Sequence, residues 1–260
     1  MMIHFWKYQG AGNDFIMIDD RDATFDINDH EKVAFLCHRR FGVGGDGLIL
    51  IRLKEGYDFE MVYFNADGHV GTMCGNGGRC AVRFAHTLGL FDTTTSFWAA
   101  DGAHEATLDE QQLVHLKMNP PGEIEVNADH YFMDTGSPHY VRFEKDLDNF
   151  DCVTEGKAIR YNERFAEEGT NVNFAQVTGS QSLSVRTYER GVEDETYACG
   201  TGVTACAIAA NIEHGMESPI QIKVLGGDLA VGFKKVAEKK YTDIILTGPA
   251  TPVFKAEIEI

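Results

Sequence analysis

The chain has 260 residues, a length for one large domain or two small ones. Lys and Arg total 23 against 40 Asp and Glu, a net charge of −17 that repels nucleic-acid phosphates and argues against DNA or RNA as the main partner. Hydrophobic residues make up 43%, enough for a packed core, and no apolar run approaches the ~20 residues that would span a bilayer.

The opening MMIHFWKYQGAGNDF has no basic-then-apolar leader pattern, so a cytoplasmic setting is expected. Residues 30–41 place apolar side chains at helical spacing, with Asn28 and Asp29 as cap candidates. Segments 47–53, 58–65 and 113–119 read as strands, rich in β-branched and aromatic residues between Gly and Asn/Asp punctuation. A helix starts at Cys74 and stops at Gly89. Asn119-Pro120-Pro121-Gly122, with the only Pro-Pro pair, marks a linker. Further strands are expected over 182–190, 220–233 and 242–248, and a second helix from Cys199 to Gly215. The tail after Pro252 alternates like an edge strand. Long strand stretches with isolated helices predict an α+β fold, not a regular βαβ series.

The two helix starts repeat one another. MCGNGGRCAVRFAHTLGL surrounds Cys74 and ACGTGVTACAIAANIEHGM surrounds Cys199: Cys-Gly-x-Gly, then small and apolar residues, then a Gly stop. Their separation of nearly half the chain predicts two similar lobes. The expected division is 1–119, joined by a returning strand at 250–260, and 120–249. The run 205–210, ACAIAA, is small on every face and predicts a fully buried helix.

A Cys at a helix start is made more acidic by the first-turn N–H groups and the helix dipole. The same N–H groups can cradle a carboxylate, and glycine lets a ligand approach the backbone. Two such ends suit either disulfide redox chemistry or inversion of an amino-acid α-carbon. In the second case one thiolate removes the α-proton and an opposite thiol protonates the other face, while oriented dipoles hold the carboxylate charge without metal or pyridoxal phosphate.

None of the six cysteines forms a Cys-x-x-Cys pair, and none of the ten His lies in His-Glu-x-x-His, so no metal site is called for. Cys37, Cys80, Cys152 and Cys206 read as core thiols. Gly42, Gly44 and Gly47 match the Gly-x-Gly-x-x-Gly dinucleotide fingerprint, but a helix precedes them and a strand follows, the reverse of what it needs. Gly200, Gly202 and Ala205 match its Ala variant in the right order, yet no strand ending in an acid follows at the expected distance.

GAGNDF (10–15), FNADG (64–68), MCGNGGRC (73–80), TGSPHYV (135–141), GTNVNF (169–174) and YERGVEDETYACGTG (188–202) together closely resemble the diaminopimelate epimerase family. The resemblance implies a cofactor-independent homodimeric enzyme that interconverts LL- and meso-2,6-diaminoheptanedioate in lysine and cell-wall synthesis. It implies two pseudo-symmetric lobes, each a β-barrel-like sheet around a central helix, with the site between them. It assigns Cys74 and Cys199 as the acid/base pair, and Gly75, Asn76, Gly200 and Thr201 as the cradle of the reacting carboxylate. Asn13, Asn65, Asn171 and Arg190 would bind chiefly the distal end; His139 and Glu189 would orient the thiols. Three positions depart from the family pattern: Ser137 stands where many members have Asn, Gly47 where some have Gln, and Thr201 where others have Ser. Proline or hydroxyproline racemases and phenazine-synthesis isomerases share such a fold, and would differ in accepting a substrate without a second amino-acid end.

Overall fold

The structure is a computed structural model and describes residues 2–71 and 73–260. β1 (Met2–Gly10) and β2 (Asn13–Asp19) form an antiparallel hairpin across Ala11 and Gly12, which take φ of 53° and 94°. Helix α1 (His30–Cys37) leads to β3 (Gly47–Lys54), which lies parallel to β2, and β4 (Tyr57–Asn65) returns antiparallel to β3. Helix α2 (Gly75–Thr87) leads to β5 (Thr94–Ala99), parallel to β4, and β6 (Gly102–Leu108) and β7 (Val114–Met118) complete an antiparallel meander.

The second half repeats this order. It comprises β8 (Glu125–Val126), β9 (Tyr131–Asp134), β10 (Pro138–Phe143), α3 (Cys152–Arg160), β11 (Asn171–Gly179) and β12 (Ser182–Glu189). After them come β13 (Asp194–Thr196), α4 (Gly200–His214), β14 (Ile220–Val224), β15 (Gly227–Ala237) and β16 (Lys240–Gly248). β10 and β11 are parallel across α3, and β12 and β14 are parallel across α4, as β2/β3 and β4/β5 are across α1 and α2. The last strand, β17 (Thr251–Glu259), pairs antiparallel with β1 and puts Met2 opposite Glu259.

The chain divides into Met1–Leu116 with Gly248–Ile260, and Lys117–Thr247. The division falls inside β7, slightly before the Pro-Pro pair that the sequence suggested. In the first unit α2 packs against β1, β2, β3, β4 and β6; in the second α4 packs against β9, β10, β11, β12 and β15. Each unit is therefore a sheet wrapped on a buried helix, an α+β fold. Residues 205–210 of α4 are all fully buried, as their small side chains predict.

Two expected elements differ in extent. The helix begun at His30, capped by Asp29 through Lys32 N at 3.0 Å, ends at Cys37 and not at 41. His38 turns extended (ψ 119°), and the N–H groups of Val43 and Gly44 fold back onto Leu36 O at 2.9 and 3.0 Å. A Cβ on Gly42 would lie 2.0 Å from Phe35 O, so glycine lets this loop close on the helix end. The stretch 220–233 is two strands, β14 and β15, joined at Leu225-Gly226 with Gly227 at φ 143°.

Candidate active site

In the first unit the candidate residues gather at the start of α2. Cys74 is its N-cap, with extended backbone (φ −109°, ψ 122°) and Sγ accepting from Gly77 N at 3.5 Å. Gly75 and Asn76 open the helix, where N–H groups are not consumed by the helical ladder and the dipole is positive. The end of β1 comes close: a Cβ on Gly10 would lie 2.9 Å from Asn76 O.

A directed chain of donors fixes the amides. Arg79 Nη2 donates to Asn76 Oδ1 at 3.0 Å, Asn76 Nδ2 donates to Asn13 Oδ1, and Asn13 Nδ2 donates to Asp46 Oδ2 at 3.1 Å. A guanidinium can only donate and a carboxylate only accept, so the two ends set the orientation of both amides between them. Asp46 is itself held by Arg39 at 2.7 Å, and Arg39 also forks onto Asp14 at 3.1 and 2.6 Å. Burial would raise the Asp14 carboxyl, but Arg39 and Lys7 outweigh it and hold it below its ordinary range.

Asn65 ends β4 opposite Gly47 and is exposed. A Cβ on Gly47 would lie 2.6 Å from Tyr63 Cε2, and one on Gly71 would lie 2.5 Å from Tyr63 Cε1. A Cβ on Gly47 would also lie 2.5 Å from Phe64 O, so the Phe64 carbonyl and the Tyr63 ring together account for glycine there.

In the second unit Cys199 is the N-cap of α4 (φ −121°, ψ 109°), and it is 8% exposed. Its side chain does not cap the helix as Cys74 does; Sγ lies 3.5 Å from Thr201 Oγ1. Thr201 Oγ1 lies 2.8 Å from His139 Nε2, and Thr201 O accepts from Thr135 Oγ1 at 2.8 Å. Asn171, beside His139 in the β10/β11 register, accepts from Arg190 N at 2.9 Å and donates to Ser137 Oγ at 2.8 Å. Ser137 Oγ also lies 3.1 Å from His139 Nε2. Ser137 therefore bridges two candidate residues despite being shorter than the Asn it replaces. The Arg190 guanidinium donates to Glu168 O at 2.9 Å, and Glu189 accepts from Thr196 Oγ1 at 2.8 Å.

His139 is fully buried, and burial, aided by the charge of Arg190, pushes its pKa down to about 3 from its ordinary 6.5. It is neutral at neutral pH. An unfolded chain binds a proton at this position below about pH 6.5 that the folded chain refuses until about pH 3. Folding stability should therefore fall as pH drops through that window, by up to ~1.4 kcal/mol per pH unit from this group. Urea titrations of wild type and His139→Gln from pH 7 to pH 4 should show a steeper loss in wild type; parallel curves would refute it.

The remaining cysteines are inert. Burial pushes Cys37, Cys80 and Cys152 up to about 12, and raises Cys206 as well. Sequence reasoning did not single out Arg79, Asp46, Tyr63 or Asn173. Asn173 carried a signal: it lies two residues from Asn171 on one strand, and so on the same face.

Two units of one topology, each with a cysteine opening its buried helix, define an epimerase-type fold. The same fold occurs in a phenazine biosynthesis protein of the PhzF family from Bacillus anthracis, with a TM-score of 0.80 at 14% identity over 100% of both chains. It also occurs in a hydroxyproline epimerase from Agrobacterium vitis, with a TM-score of 0.69 at 13% identity over 99% of this chain and 92% of that one. The sequence matches the diaminopimelate epimerase family over residues 5–122 and 131–253. The diaminopimelate epimerase of Flavobacterium psychrophilum is 47% identical over 97% of this chain and 99% of its own. That of Chlorobaculum tepidum is 45% identical over 96% of this chain and 99% of its own. The chain belongs to the diaminopimelate epimerase family and is an epimerase.

Proposed function

We propose that this enzyme interconverts LL- and meso-2,6-diaminoheptanedioate by proton transfer with Cys74 and Cys199 as the acid/base pair, in cytoplasmic synthesis of lysine and cell-wall precursors. The observation that carries the reading is the recurrence, in each unit, of a cysteine N-cap on a buried helix followed by Gly-Asn or Gly-Thr. Inversion needs a base on one face of the α-carbon and an acid on the other. One sulfur, as thiolate, takes the α-proton and becomes a thiol. The electron pair left on carbon spreads into the α-carboxylate. The other thiol then gives its proton to the opposite face and becomes a thiolate, so the enzyme ends with its thiol and thiolate exchanged.

The α-proton is a very weak acid, and the developing carboxylate charge needs donors already in place. The first-turn N–H groups of Gly75, Asn76, Gly200 and Thr201 serve that role without reorganising. Asn13, Asn65, Asn171 and Arg190 are assigned to the distal amino-acid end: amides can serve an ammonium and a carboxylate together, and a guanidinium offers a two-pronged fork to a carboxylate. His139 acts on Cys199 through Thr201, and Glu189 is assigned to orient a thiol.

The test is turnover of LL-diaminoheptanedioate in deuterated water. Deuterium should enter at the inverted centre in step with meso product. Product that keeps its original α-proton at full rate would overturn the scheme. Turnover of proline with none of diaminoheptanedioate would transfer the assignment to a proline-type racemase.

A further inference from the structure

Behind Thr201 and His139 stands a residue outside the candidate set, Asn173. Asn173 is fully buried on β11. Its Nδ2 donates to the carbonyl of Tyr140 at 2.9 Å and lies 3.1 Å from His139 Nδ1; its Oδ1 accepts from Thr187 Oγ1 at 3.0 Å. The Tyr140 carbonyl can only accept, so the amide nitrogen is the atom on that side. The second hydrogen of the same nitrogen then faces His139 Nδ1, which must be the acceptor. In a neutral imidazole the remaining hydrogen therefore sits on Nε2, 2.8 Å from Thr201 Oγ1 and 3.1 Å from Ser137 Oγ, and the shorter contact, to Thr201, takes it. With one lone pair of Thr201 so engaged, its own hydrogen is available to Cys199 Sγ at 3.5 Å.

We infer that Asn173 is a positioning residue that locks His139 as the Nε2–H tautomer, so that Thr201 donates to the Cys199 thiolate. His139 then neither takes nor gives the substrate proton; it works as a fixed dipole. The packing permits little else: a Cβ on Gly202 would lie 2.3 Å from Asn173 Oδ1, so the start of α4 is seated directly on this amide. Among the described residues, the charge of Arg190 disfavours protonation of His139, and Cys206, a buried thiol deeper in α4, lies within electrostatic reach of Cys199. The inference rests on the proposed function only in treating Cys199 as a group that ionises.

The test needs no substrate, so it fails or succeeds separately from the assignment of the reaction. In 15N-histidine-labelled full-length protein, long-range proton–nitrogen spectra should show His139 as the neutral Nε2–H form at pH 7. Asn173→Asp places a carboxylate at Nδ1 and should move the proton there. In a Cys74→Ser background, iodoacetamide labelling of Cys199 followed against pH reads its ionisation. Thr201→Val should raise the midpoint by about 1–2 pH units, the loss of a hydrogen bond to a charged sulfur, with the tautomer unchanged. Thr201→Ser should restore it. An Nδ1–H form in the wild type, or an unchanged midpoint in Thr201→Val, would overturn the inference even if Asn173→Asp does not fold.

Discussion

Replacing either Cys74 or Cys199 by Ala should lower kcat/KM for inversion of LL-diaminoheptanedioate by at least about 10³-fold, the scale set by loss of a positioned acid or base. Both variants should fold, because each replaced side chain is small and sits at a helix start. Removing the Cys74 cap on Gly77 N costs α2 about 1 kcal/mol or less. The double replacement should be scarcely worse than either single one, since a proton relay broken once is already broken. The single variants also separate two events. A lone remaining thiolate can still remove and return the α-proton on one face. Deuterium exchange with retention should then outlast inversion. Chiral chromatography with mass detection reads both, and near-normal inversion by either variant would end the two-thiol scheme.

Arg79→Met should destabilise the fold by about 3–5 kcal/mol and weaken catalysis as well. The side chain is fully buried in α2 and donates to Gly75 O at 3.3 Å, Asn76 Oδ1 at 3.0 Å and Pro249 O at 3.3 Å. Burial opposes its charge and lowers its pKa, so the fold must hold the cation through its hydrogen bonds. Deleting the guanidinium leaves two buried acceptors, Gly75 O and Asn76 Oδ1, and the half-buried Pro249 O to find other donors. It also frees the Asn76 amide to rotate, so Asn13 loses its set orientation. Arg79→Lys keeps the charge but cannot reach all three oxygens, and should fall between. Denaturant midpoints with circular dichroism measure the loss; a change under 1 kcal/mol for Arg79→Met would contradict this account.

Much of the site could be read before the fold. The two helices opened by the Cys-Gly-x-Gly runs are legible at their ends too, because the Gly stops at 89 and 215 fall where φ is positive, at 75° and 66°. Helix α3 carries no clear sequence signal because Gly156 interrupts it. The structure gives the reason for that glycine: a Cβ there would lie 2.4 Å from Tyr188 Cβ on β12. Strand β1 is hidden in the sequence because Lys7 is buried on it, matched by Asp14 at 2.6 Å, a pairing made across the hairpin. β10 opens on a proline, and β11 carries two buried asparagines, neither of which reads as a strand interior. The roles of Arg79 and Asn173 depend on partners such as Pro249 and Tyr140, remote in sequence, and no local pattern encodes them.

The pairing of β17 with β1 has a consequence for biogenesis. Lys117–Thr247 is one continuous stretch, whereas the other unit needs Gly248–Ile260 to cover the edge of its first strand. A ribosome delivers the chain from the N-terminus, and segments fold as their partners emerge. The half encoded second thus has all its strands available first, and the half encoded first waits, with β1 unzipped along one side, until β17 emerges.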